Sequence, residues 1–190
     1  MKPSRAFSSR DKHVCPWWLA YTFDNPLRRY LHDPGTIVAP YLRAGMTAID
    51  IGCGMGFFSR GMAKIVGDAG KVIAIDLQQE MLDITRKRSE KDRVAHRIRL
   101  QLASEDDLNI SEQADFVLAF WMVHEVNDTR RFFDQVYSIL KPAGALLVAE
   151  PRIHVTFSRF EEILAYAHDA GFKIIDTPRI RISRAVVLKK

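Results

Sequence analysis

The residues best able to do chemistry stand together in Ala48-Ile49-Asp50-Ile51-Gly52-Cys53-Gly54-Met55-Gly56-Phe57. A short apolar strand runs into a glycine-rich turn that opens a helix. Glycine lets the backbone turn tightly and approach a ligand without a Cβ clash. In a doubly wound sheet that ligand would sit at the carboxyl edge, where nucleotides bind. Twenty residues past Gly56 a second strand ends in Asp76, whose carboxylate can accept hydrogen bonds from both hydroxyls of a ribose. Loop and acid together suit an adenosine cofactor. The loop reads Gly-x-Gly-x-Gly, with Phe57 where a dehydrogenase would carry its third glycine. Asp50, just before the loop, suits a ligand bearing an ammonium, reached through water or the loop backbone, better than a pyrophosphate.

The surrounding pattern supplies the elements that must hold these residues. From Met46 on, strand and helix signals alternate. Strands are expected at 47–51, 71–76, 98–102, 115–120 and 145–149. The helix after the glycine loop turns Phe58, Met62, Ile65 and Val66 to one face and stops at Gly67. A helix over 79–91 turns Met81, Leu82 and Ile84 inward. Asp128 caps a third, carrying Phe132, Phe133, Val136, Ile139 and Leu140. Lys141-Pro142-Ala143-Gly144 reads as a turn. Ser158 and Glu161 read as a capping box for a helix that ends at Gly171. Two last strands, 172–176 and 180–188, flank a Thr177-Pro178 turn too tight for a helical crossover, so they form an antiparallel hairpin. Apolar strands alternating with helices imply an α/β fold with a mostly parallel sheet covered on both faces.

Several motifs in this order resemble the class I S-adenosylmethionine-dependent methyltransferases, over about residues 35–190. Asp50-Ile51-Gly52-Cys53-Gly54-Met55-Gly56 matches the family's first motif. Asp76 matches its ribose-binding acid, and Leu77 the apolar residue beside the adenine. Ala114-Asp115-Phe116-Val117 looks like the fourth-strand motif, and Leu140-Lys141-Pro142-Ala143-Gly144-Ala145 like the turn before strand five. The run from Phe160 through Ala170-Gly171-Phe172 resembles the closing helix and its exit. The match is closest to the small-molecule branch that includes quinone-biosynthesis methyltransferases.

The resemblance implies a Rossmann-like seven-stranded sheet of order 3-2-1-4-5-7-6 with strand seven antiparallel. It implies S-adenosylmethionine as cofactor and a small, partly apolar methyl acceptor. Asp50, Gly52, Cys53, Gly54 and Gly56 then hold the methionyl part, with the Cys53 side chain a small apolar filler. Phe120, Trp121 and Met122 stand in the region that faces that part. One departure concerns the adenine. Where the family usually carries Asp after strand three, this chain has Leu102-Ala103-Ser104-Glu105-Asp106. Ser104 takes that place, with Glu105 or Asp106 as substitutes.

Methyl transfer is an in-line displacement in which orientation and a dry site do most of the work. A base is needed only if the acceptor's proton must leave early. His124, after strand four, is the candidate base. Glu125 either orients it or caps a helix. Trp121 either lines the acceptor pocket or fills the core. Residues 1–45 hold two of the three tryptophans and five of the eight prolines. They read as a helical lid over a core of 46–190, with short helices broken at Pro16, Pro26, Pro34 and Pro40. Trp17, Trp18 and Tyr21 in that lid could stack on a flat acceptor. His13 and Cys15 alone do not make a metal site, and no metal is expected.

Composition narrows the rest. The 190 residues are 47% hydrophobic and 27% charged, with two cysteines, which fits one soluble domain without a disulfide framework. No apolar run is long enough to span a membrane. The N-terminus lacks the pattern of a signal peptide, so a cytoplasmic location is expected. The net charge of +5 is mild. The basic run Arg86, Lys87, Arg88, Lys91, Arg93, Arg97 and Arg99 could hold RNA phosphates, but Glu90 and Asp92 interrupt it. The Asn/Asp-Pro-Pro-Tyr motif of enzymes acting on base amino groups is absent, so nucleic acid is not the expected partner. Tyr137 and Lys141 have the spacing of a short-chain dehydrogenase pair but the wrong place in the fold. An RNA or protein methyltransferase and a non-catalytic partner subunit remain the rival readings. Oligomeric state is left open.

Overall fold

A computed structural model describes residues 30–190. Its strands are β1 (Thr47–Ile51), β2 (Lys71–Asp76), β3 (Ile98–Leu102), β4 (Ala114–Phe120), β5 (Leu140–Pro151), β6 (Lys173–Asp176) and β7 (Ser183–Lys189). They form one sheet in the order β3-β2-β1-β4-β5-β7-β6. The pairs from β3 through to β5 are parallel, and β7 runs antiparallel to both β5 and β6. The expected strand order and the antiparallel seventh strand are both present.

Among the described residues five α-helices flank the sheet: α1 (Pro34–Val38), α2 (Phe57–Val66), α3 (Gln79–Lys91), α4 (Thr129–Ile139) and α5 (Phe157–Asp169). Val38 of α1 and Phe58, Met62 and Val66 of α2 pack on one face, against Ala48, Phe116, Leu118 and Leu147. Leu82 of α3 packs on Ala74 of β2 and on Cys53. Phe132, Phe133 and Val136 of α4 and Ile163 and Ala167 of α5 pack on the other face, against Ile49, Val117, Leu146 and Val148. The two helical layers take alternate residues of each central strand. That explains why β1, β2 and β4 read as continuous apolar runs.

Local expectations are corrected at five places. Pro34 begins α1, capped by Asp33, whose carboxylate accepts the Thr36 N–H at 3.0 Å. A proline at the first turn costs no hydrogen bond, so it opens the helix where a break was expected. In α3 the inward residues beside Met81 and Leu82 are Thr85 and Ser89, while Ile84 is only half-buried. Lys141 to Gly144 is counted within β5, as a bulge: Ala114 pairs with Leu140 and Phe116 with Ala145. The Lys141 ammonium lies 2.8 Å from both Asp115 oxygens beside that bulge. Thr156, not Ser158, caps α5 by accepting the Arg159 N–H at 3.2 Å. Arg159, not Glu161, then holds the third helical position, so no capping box forms. Finally, β7 starts at Ser183, so the link from β6 is longer than the Thr177-Pro178 turn.

The start of the expected 1–45 lid, with His13, Cys15, Trp17, Trp18 and Tyr21, lies outside the described residues. The described remainder lies flat on the core. A Cβ on Gly61 of α2 would stand 2.3 Å from Pro34 Cβ, so α1 rests directly on the glycine. Gly61→Ala should force the rigid proline away and cost about 1–3 kcal/mol as overpacking. Urea unfolding would show this as a lower midpoint with the slope unchanged; an unchanged midpoint would contradict the contact.

Candidate functional site

The carboxyl ends of β1 and β2 build the first half of the site. Gly52, Gly54 and Gly56 have φ of 67°, 53° and 73°. That left-handed conformation is cheap only for glycine. Their surroundings differ. A Cβ on Gly52 would sit 2.9 Å from Met122 Cβ, and one on Gly56 would sit 2.6 Å from Thr85 Cγ2. A Cβ on Gly54 would meet nothing within 4 Å. The outer two glycines are needed for packing, whereas the middle one borders open space. Thr85 completes the support from below, its hydroxyl donating to the Gly54 carbonyl at 2.9 Å.

Asp76 closes this turn against β2. One carboxylate oxygen accepts the Gly54 N–H at 2.8 Å and the other the Gln78 N–H at 3.0 Å. The residue is 8% exposed. Burial pushes its carboxyl above the usual range, against the lowering by the N–H groups of Gln78, Gly54 and Leu77. A carboxylate offers about four lone-pair positions, so capacity remains beyond these N–H groups for a ligand hydroxyl. Leu77 beside it is exposed, an apolar surface at the rim. Asp50 lies beneath the loop, 2% exposed, and accepts the Ser59 hydroxyl at 2.5 Å. Cys53 packs inward on Ala74 and Leu82, and its N–H donates to the Ile75 carbonyl at 2.9 Å.

Ser104 and Glu105 follow β3 on the surface. The Ala103 N–H donates to the Asp76 carbonyl at 3.0 Å, which ties this segment to the acid. Ser104 pairs with Asp107 across a tight bend, and Glu105 accepts from the Asn127 amide at 3.2 Å.

The ends of β4 and β5 build the second half. Phe120 is buried, its ring 4.4 Å from that of Phe58 and 5.1 Å from that of His32. Trp121 turns the chain at φ 61°. Its backbone N–H donates to the Ala149 carbonyl at 2.7 Å and its indole N–H to Ser183 Oγ at 2.9 Å. His32 stands edge-on to Trp121 at 4.9 Å, with Nε2 3.0 Å from the Arg181 carbonyl oxygen.

His124 lies in the short 3-10 turn Val123–Glu125. Its Nδ1 meets Glu150, which is wholly buried and whose other oxygen accepts the Val123 N–H at 2.9 Å. Burial lowers the His124 pKa. The hydrogen bond and charge of Glu150, with the charge of Glu125, outweigh both that and the opposing Arg159, so the net direction is upward. The acid that orients His124 is thus Glu150; Glu125 comes only within 3.9 Å of Nε2.

Glu150, His32, Ser59 and Thr85 escape a reading of the sequence alone. One signal did exist for Glu150: it is an acid closing the apolar run Leu146-Leu147-Val148-Ala149 at a strand's carboxyl end. Among the described residues no group of three or more His, Cys, Asp or Glu could hold a metal ion. No described helix is long and apolar enough to cross a membrane.

Residues 48–144, just over half of the chain, match the family described as a methyltransferase domain. The chain belongs to this methyltransferase domain family. The demethylmenaquinone methyltransferase of Lactobacillus johnsonii is 31% identical over 110 residues, 57% of this chain and 45% of that protein. The ubiquinone/menaquinone biosynthesis C-methyltransferase UbiE of an Enterobacter species is 29% identical over 148 residues, 76% of this chain and 56% of its own length. This methyltransferase chain spans about half the length of the curated relatives it matches. A crystal structure of a SAM dependent methyltransferase from Aquifex aeolicus shares the fold. Its TM-score is 0.82 at 24% identity, over 92% of this chain and 98% of that one.

One consequence of the loop's packing can be measured without a ligand. The Cys53 thiol is pushed well above its ordinary value, first by burial and then by the charges of Asp76 and Asp50. In a Cys15→Ser background, native protein at pH 8 should react with iodoacetamide at least roughly tenfold more slowly than urea-unfolded protein. Equal rates would contradict the buried, filler role.

Proposed function

We propose that this chain transfers a methyl group from S-adenosylmethionine to a small, partly apolar acceptor. The observation that carries the reading is the open space over Gly54 beside the buried, backbone-anchored carboxylate of Asp76. The residues fit the cofactor. Asp76 would take the ribose hydroxyls. The Gly52 to Gly56 backbone would take the methionyl part, with Asp50 acting through the loop and Cys53 filling the space below it. Leu77 would cover the adenine, and Ser104 or Glu105 would meet its edge. Phe120 would border the methionyl end from the side of β4.

When bound, the cofactor supplies an electrophilic methyl on a sulfonium. This chain's residues then align the acceptor, exclude water and, for an acceptor that carries a proton, accept it at His124. A lid over 1–45 that brings Trp17, Trp18 and Tyr21 toward Trp121 belongs to the same proposal, as does a cytoplasmic location. The relatives' names, which concern demethylmenaquinone and quinone biosynthesis, support a quinone-type ring compound as acceptor. The nucleic-acid alternative gains no support from the basic run. Arg97 is paired with Asp68 at 2.6 Å and Arg99 with Glu112 at 3.2 Å.

Calorimetric titration tests the ribose assignment. Asp76→Ala should weaken S-adenosylmethionine binding by about 1.5–3 kcal/mol for each charged hydrogen bond lost. Unchanged affinity would overturn the assignment.

A further inference from the structure

Glu150 carries a charge that its place in the fold does not otherwise require. It shares a sheet face with Leu146 and Val148, under α4 and α5, and pairs in register with Arg184 of β7. Its Oε1 accepts the Val123 N–H at 2.9 Å. A glutamine could do that equally well without burying a charge. Among the described residues, the hydrogen-bond partner at Oε2 is the imidazole of His124, and that contact makes use of the carboxylate. An ionised carboxylate accepts and never donates, so Nδ1 carries the proton and Nε2 is the basic nitrogen of the neutral ring. Nε2 makes no hydrogen bond among the described residues; a Glu125 oxygen stands 3.9 Å away.

We propose that Glu150 is a positioning residue that holds His124 with Nδ1 protonated and so presents Nε2 as the proton acceptor for the methyl acceptor. The inference rests on the methyltransferase reading above. In the step it serves, the acceptor's X–H bond breaks and the proton passes to Nε2. The X–H electron pair forms the new bond to the methyl carbon, and the pair of the broken S–C bond stays on sulfur. Glu150 remains ionised beside the imidazolium until the proton returns to water. The groups around the ring come from four elements. They are Glu125 on its own turn, Glu150 on β5, Arg159 on α5, and His154 on the β5–α5 link, whose ring lies parallel at 6.2 Å. Arg184 of β7 stands across the sheet from Glu150.

The test compares wild type with Glu150→Gln, each bound to S-adenosylhomocysteine. Nitrogen-15 NMR of histidine gives the tautomer and titration midpoint of His124. Rates with S-adenosylmethionine and 1,4-dihydroxynaphthalene as probe give the pH profile. The wild-type neutral ring should be protonated on Nδ1. In Glu150→Gln the midpoint should move to lower pH and the alkaline-side kcat should fall roughly tenfold or more, with S-adenosylhomocysteine affinity unchanged. A wild-type ring protonated on Nε2 would overturn the proposal, and needs no variant to be seen. So would a midpoint that stays in place in Glu150→Gln. Failure of wild type to bind S-adenosylhomocysteine would instead overturn the methyltransferase reading, leaving the tautomer result to decide the pair by itself.

Discussion

The hydrogen bond from the Gly54 N–H to the Asp76 carboxylate joins the ends of β1 and β2 and sets the shape of everything above them. It makes one buried acid serve two purposes. The carboxylate anchors a turn in which three alternate residues need positive φ, and it still keeps lone pairs directed away from the backbone. The cost of burying it shows in the upward push on its pKa, offset by three backbone N–H groups. Thr85 supports the Gly54 carbonyl from α3, and Met122 packs over Gly52 from beyond β4. The loop is therefore held from three directions before any ligand arrives, which lowers the ordering cost of binding.

The opposite end of the same edge follows a similar logic with different chemistry. Trp121, at positive φ, ties the end of β4 to β5 and β7 through Ala149 and Ser183. Two residues past Trp121 the Val123 backbone, and next to it the His124 ring, are both held by Glu150. The sheet thus offers an anchored acid at the end of β2 and, in the turn beyond β4, an imidazole held by a buried acid of β5. Such placement is what methyl transfer asks of a protein, since alignment contributes more than any single group.

Much of this was legible in the sequence because it depends on residue types that tolerate few alternatives. Gly52, Gly54 and Gly56 signal positive φ by being glycine, and Asp76 signals its place beside the loop by closing an apolar strand. The alternation of strands and helices showed the parallel sheet, and the strand order came with the resemblance to the methyltransferase family. What stayed hidden depends on tertiary contact. Thr85 and Ser89 face inward because their hydroxyls find carbonyls at Gly54 and Thr85, which a count of apolar residues overlooks. The pairing of His124 with Glu150 joins residues on neighbouring strand ends 26 positions apart, while the sequence offered the adjacent Glu125. Thr156 displaced Ser158 as the cap of α5 because two hydroxyl residues stood close together and only the backbone turn chose between them.

A crystal structure of the chain with S-adenosylhomocysteine tests the central claim most directly. The account predicts both ribose hydroxyls at about 2.5–3.0 Å from the Asp76 carboxylate, with the amino-acid portion over Gly54. A ligand bound away from this edge, or an Asp76 carboxylate without contact to the ribose, would contradict it.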